Sequence, residues 1–265
     1  AIRKLNSRAT VQNPPQELLI RLTKYYQNGQ FSDAEKVAAF ITQNFPNHQF
    51  AWKILGAVLG ATGKESEALN ANQTAVLLSP QDSEAHNNLG ITLKGLGRFE
   101  DAAASCKKAI KINPTFAEAH CNLGITLKKL GKSDEALASY TQAIALKPDY
   151  AEAYYNMGIT LQGQDSLEKA EASFKKTIAL KPHFAEAHNN LGNTLQDLGR
   201  LEEALASYTQ AIALKPNFAE ACVNLGILIK KIRFTSSNTT LYTPLIQMLM
   251  VGNFVRPTDV VSGTL

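Results

Sequence analysis

Apolar residues in this chain recur at helical spacing on either side of a glycine, and the arrangement repeats every 34 residues. Between 185 and 218 the apolar positions are Leu191, Leu195 and Leu198, then Leu201, Ala204, Leu205, Tyr208, Ala211 and Ile212. Each period therefore predicts two amphipathic helices. Clear copies occupy 83–116, 117–150, 151–184 and 185–218. Segment 49–82 is a fifth, with Trp52, Leu55, Gly56, Gly63, Ala68, Ala75 and Pro80 in register. Segment 15–48 is a worn sixth, keeping Tyr25, Gly29, Ala34 and Pro46 but carrying Leu22 where the others have glycine.

The recurring residues have physical roles. Gly192 and Ala204 stand where two helices must approach closely, since a larger side chain there would push the pair apart. Pro216 ends the second helix because it lacks an N–H and clashes with the preceding turn. Lys147, Lys181 and Lys215 fall at the preceding helix ends, where a cation suits the negative end of the dipole. The pairs Thr115 and Glu118, Asp149 and Glu152, and Asn217 and Glu220 have the spacing of a capping box at the next helix start.

The pattern resembles the tetratricopeptide repeat. In 185–218 its markers read His188, Leu191, Gly192, Leu195, Gly199, Ala204, Tyr208 and Ala211, followed by Pro216. The resemblance implies an all-α, right-handed α-solenoid of stacked antiparallel helix pairs, a superhelix whose first helices line the concave face. The solenoid is expected over 15–234, ending in a half repeat at 219–234, after a flexible N-terminal segment at 1–14. The period fails at Arg233. Residues 235–265 read as a polar connector from Ser236 to Thr240, a capping helix introduced by Thr243 and Pro244 and stopped at Gly252, and the start of a further domain after Pro257.

Composition narrows the function classes. The chain has 265 residues, 45% of them apolar, with a net charge of +4. Its basic residues are spread among 23 acidic ones, so no concentrated basic face is offered to a phosphate backbone, and nucleic acid is not expected as a partner. Arg3, Lys4 and Arg8 precede no apolar run, and the apolar stretch 241–251 contains Pro244 and is too short to span a bilayer. A cytoplasmic protein without a membrane partner is expected.

Cys106, Cys121 and Cys222 fall in different repeats and at different repeat positions, which is neither a disulfide framework nor a metal set. His86, His120 and His188 share one repeat position, but packed helices lie roughly 8–10 Å apart and zinc ligands must lie within about 2.1 Å of the ion. They read as half-polar substitutes for Trp52 and Tyr154. There is no phosphate-cradling loop and no nucleophile with an adjacent base, and Glu84, Glu118, Glu152, Glu186 and Glu220 recur with the period. Neither catalysis nor a cofactor nor a metal is expected.

The binding candidates lie on the first helix, at the second, fifth, sixth, ninth and twelfth residues of each repeat. The sixth residue gives a column of asparagines, Asn88, Asn122, Asn156, Asn190 and Asn224, with Ile20 and Ile54 in the first two repeats. The column is similar to the one in the repeat arm of the O-linked N-acetylglucosamine transferases, which implies that these amides bind the main chain of an extended peptide. An amide both donates and accepts, so it can pair with a peptide N–H and C=O. The alternative is that each asparagine bonds within the scaffold. Lys94, Lys128, Gln162, Gln196 and Lys230 stand at the twelfth position, and glutamates at the second, giving a basic and an acidic margin. Ile91, Ile125, Ile159 and Ile227, interrupted by Asn193, form an apolar floor between them. A non-catalytic scaffold for a protein or peptide is the first reading, the recruiting arm of a larger glycosyl-, sulfo- or methyltransferase is the second, and self-association through the solenoid ends is the third.

Overall fold

A computed structural model describes residues 13–235, so the expectations for 1–12 and for the connector and capping helix at 236–265 lie outside the described residues. These residues form helices without a single strand, in two compact units divided in sequence after Pro148.

The first unit contains α1 (Gln16–Gln27), α2 (Phe31–Asn44), α3 (Gln49–Ala61), α4 (Glu65–Leu78), α5 (Ser83–Gly95), α6 (Phe99–Ile112), α7 (Ala117–Lys129) and α8 (Ser133–Leu146). The second contains α9 (Ala151–Gln162), α10 (Leu167–Leu180), α11 (Ala185–Asp197), α12 (Leu201–Leu214) and α13 (Ala219–Thr235). Within each unit every helix packs on the next, and the first helices of successive repeats also touch, α3 on α5 and α5 on α7 in one unit, α9 on α11 and α11 on α13 in the other. Each unit is thus a solenoid of stacked helix pairs.

The close approach expected at Gly192 is present. A Cβ placed there would lie 2.6 Å from the ring of Tyr208, a side chain with no solvent exposure. Ala204 is equally buried. Burying a ring of this size is worth roughly 1.5–3 kcal/mol, so the glycine is what lets the second helix bring it inward.

The turn between the helices of a pair needs a left-handed residue. Gly199 supplies it with φ of 75°. In 151–184 the equivalent residue is Asp165, which holds φ of 58° despite its Cβ.

The helix starts depart from expectation. The residues before α7, α9 and α11 are Phe116, Tyr150 and Phe184, none of which makes a side-chain cap. The helices begin one residue later than a capping box requires, so Glu118 and Glu152 sit in the second turn position rather than the third. Thr115 instead donates its hydroxyl to Asn113 Oδ1 at 2.9 Å. Side-chain caps occur at α3 and α5, where Ala51 N–H donates to His48 Nδ1 at 3.3 Å and Ala85 N–H to Asp82 Oδ1 at 3.0 Å.

Candidate functional site

The asparagine column lies on the first helices, with Asn88 on α5 and Asn122 on α7 in one unit and Asn156, Asn190 and Asn224 on α9, α11 and α13 in the other. All five are half-buried. Three of them reach back to the fifth residue of the preceding repeat. Asn122 Nδ2 donates to Asn87 Oδ1 at 3.0 Å, Asn190 Nδ2 to the Tyr155 hydroxyl at 3.1 Å, and Asn224 Nδ2 to Asn189 Oδ1 at 3.1 Å. Asn156 donates to the Glu152 carbonyl of its own helix at 2.8 Å. Asn88 makes no side-chain hydrogen bond among the described residues.

These bonds use one half of each amide. The Oδ1 atoms of Asn122, Asn156 and Asn224 accept nothing from the described residues, whereas Asn190 Oδ1 takes a long bond of 3.4 Å from Asn189. Asn189 is itself buried, and it donates to Glu220 at 2.9 Å. The Tyr155 ring lies 4.7 Å from that of Phe184 and 6.0 Å from that of Phe174. Burial raises its hydroxyl pKa, Glu186 and Glu220 add to the rise, and the Asn190 amide opposes it. The fifth position therefore belongs to the same network. Its signal in the sequence is the polar side chain at Asn87, Tyr155 and Asn189, always 35 residues before an asparagine of the column.

The ninth position is less uniform than the sequence suggests. Ile91 and Ile227 are exposed, Ile125 and Ile159 half-buried. Asn193 accepts from the Tyr208 hydroxyl at 2.7 Å and from Asn224 at 3.0 Å, which commits it to the scaffold.

Four glutamates of the acidic margin are already paired with lysines, and Glu220 accepts from the Asn189 amide. Lys147 meets Glu118 at 3.2 Å, Lys215 meets Glu186 at 2.8 Å, and Lys181 is bonded to Glu152, each pair joining the start and the end of one repeat. Glu84 is paired with Lys53 at 2.6 Å. The lysines at the helix ends do stand at the C-caps of α8, α10 and α12, but the carboxylate is a second partner.

At the twelfth position Lys94, Lys128, Gln162 and Gln196 are half-buried and Lys230 is exposed. Gln196 Oε1 is buried with no hydrogen-bond partner among the described residues.

The remaining polar groups are structural in geometry. Nε2 of His86, His120 and His188 lies 3.0 Å from the carbonyls of Pro80, Pro114 and Pro182, and Trp52 Nε1 donates to the Pro46 carbonyl at 2.8 Å. A carbonyl only accepts, so each of these imidazoles carries its proton on Nε2. No group of three or more metal-ligating side chains converges among the described residues. Burial pushes the Cys106 thiol up to about 12, against a smaller opposing effect of Lys94. A shallow depression of about 400 Å³ beside Glu152 and Lys181 is closed by Pro182, His183 and Phe184. Among the described residues no helix is long and apolar enough to cross a membrane.

Models of the tetratricopeptide repeat match residues 83–116, 105–138, 151–184 and 185–218, and a TPR repeat model matches 126–165. Together they run unbroken from 83 to 218, just over half of the chain. No curated protein sequence matches the chain. Among solved structures it is similar to MamA, at 28% identity and a TM-score of 0.56 over 63% of this chain and 97% of that one. It is also similar to TTC0263, a thermophilic TPR protein of Thermus thermophilus, at 26% identity and a TM-score of 0.58 over 68% and 98%. PilW, a type IV pilus biogenesis factor, shares the fold at 22% identity and a TM-score of 0.72 over 80% and 100%. From its 34-residue period, its stacked helix pairs and these matches, the chain belongs to the tetratricopeptide repeat proteins, a family of protein-interaction scaffolds.

Proposed function

We propose that this chain is a non-catalytic scaffold that holds an extended peptide segment of a partner protein against its first helices. The observation that carries the reading is the half-used amide. Among the described residues, Asn122 in the first unit keeps an Oδ1 that accepts nothing and Asn88 keeps its whole amide, and in the second unit Asn156 and Asn224 each keep such an Oδ1. Such atoms suit the N–H groups of an extended main chain, which presents one donor per residue. The internal bonds serve the same end, because they fix the side-chain torsions and leave less entropy to lose on binding.

Each contact would contribute about 0.5–1.5 kcal/mol, against roughly 1–2 kcal/mol to order each peptide residue. Several contacts and neighbouring side chains must therefore act together. The transferase-arm reading gains no observation of its own from the structure.

The test is selection of binders from a random-sequence peptide library displayed on phage, followed by Asn88→Ala. The variant is expected to bind the selected peptides several-fold more weakly with an unchanged urea midpoint. A library that enriches no sequence overturns the reading, as does a variant that binds normally.

A further inference from the structure

Among the described lysines, only Lys53, Lys94 and Lys128 are half-buried. Lys53 is bonded to Asp82 at 3.0 Å and to Glu84 at 2.6 Å. Lys94 and Lys128 have no carboxylate within 4.0 Å among the described residues. A cation that has given up part of its hydration normally recovers it from a partner. Here the scaffold provides none, and the same gap occurs at the same place in two successive repeats.

Burial lowers the pKa of both ammonium groups. For Lys94 the thiols of Cys106 and Cys121 oppose the fall weakly, and for Lys128 the neighbouring Lys129 deepens it. Each is a half-buried ammonium group whose charge no carboxylate of the described residues meets.

We propose that Lys94 and Lys128 bind carboxylate side chains of an acidic, extended partner peptide, deepening the scaffold reading on which this rests. The spacing narrows the sequence such a partner would carry. Helices α5 and α7 touch directly, and packed helices lie about 8–10 Å apart, so equivalent residues on them recur at that interval. A polyproline-type strand advances about 9 Å in each turn of three residues. An acidic residue at every third position then meets successive lysines, while the main chain runs past Asn88 and Asn122. Ile91, 40% exposed between Asn88 and Lys94 on the same helix, offers apolar surface to the intervening residues.

The probe is a labelled peptide of four Pro-Pro-Glu triplets, compared with its Pro-Pro-Gln counterpart and with an oligothymidylate of equal charge, by fluorescence anisotropy on the full chain. The Glu peptide is expected to bind about tenfold or more tightly than the Gln peptide, and high salt should weaken it. Lys94→Gln and Lys128→Gln should each lose about tenfold, with Lys107→Gln on α6 unaffected. Removing an unpaired half-buried cation should leave the urea midpoint unchanged or higher. A midpoint that falls, with binding per folded molecule preserved, would make the lysines structural and overturn the proposal. Equal binding of the Glu and Gln peptides, or binding of neither, overturns it as well, and the scaffold reading falls with it only if the phage library is also empty or Asn88→Ala binds the selected peptides normally. An oligothymidylate that binds as tightly as the Glu peptide shows a site that reads charge alone, which overturns the acidic peptide as its occupant.

Discussion

Gly124 on α7 lies against the ring of Tyr140 on α8, so closely that a Cβ on the glycine would fall 2.5 Å from Cε1. Tyr140 has no exposure. Gly124→Ala would gain up to about 1 kcal/mol of helix propensity and lose about 1–3 kcal/mol to overpacking. A net fall in the urea midpoint is expected.

The asparagine column should divide into members that stabilise and one that does not. Asn224→Ala strips Asn189 Oδ1 of the donor that the column supplies, and should cost about 1 kcal/mol. Asn88→Ala removes no internal bond and should cost nothing measurable. Equal losses from the two variants in urea titrations would remove the distinction on which the peptide-binding role of Asn88 rests.

Acid should weaken the first unit through Asp82. Burial alone would raise its carboxyl, but the Ala85 N–H, the Lys53 ammonium and the Gln49 amide outweigh it and hold the pKa below the ordinary aspartate value. A depressed folded pKa contributes stability above the unfolded value of about 3.9, and this is lost as the pH falls through the folded value. Asp82→Ala should cost about 0.5–2 kcal/mol at neutral pH, as helix caps do, and much less at pH values below both. Urea midpoints of the two chains across that window would check it, and a constant gap would rule out the charge as the cause.

Asp165 occupies a left-handed conformation that its sister repeats give to glycine. Asp165→Gly should relieve the Cβ clash and raise stability by about 0.5–1 kcal/mol, after the larger entropy of glycine in the unfolded chain is counted. Thermal melting of the variant gives the sign directly.

Much of this was legible in the sequence because packing repeats with the chain. Gly192 and Tyr208 announce their contact because a glycine and an aromatic ring recur at these positions in 117–150 and 151–184 as well, and the histidines showed their structural role by replacing Trp52 at one position. The network around the asparagines was not legible in the same way. A column read down one position shows which residues face a common side, but the bond from Asn224 runs to the fifth position of another repeat. The helix starts failed for a smaller reason. A shift of one residue puts Phe116 rather than Thr115 before α7, and capping chemistry does not survive that shift. Pairing of Glu118 and Glu186 with Lys147 and Lys215 was hidden because each partner had a sufficient role alone, in the first turn and at a helix end.

The link from sixth residue to the fifth residue of the repeat before is an address rather than a pair of names. Excision of 185–218 as a block would set Asn224 one period after Tyr155, whose hydroxyl already accepts from Asn190. The junction would find a usable partner without any compensating change. Loss of this whole period therefore preserves the polar stitching at its junction, while a deletion of another length there breaks it at once.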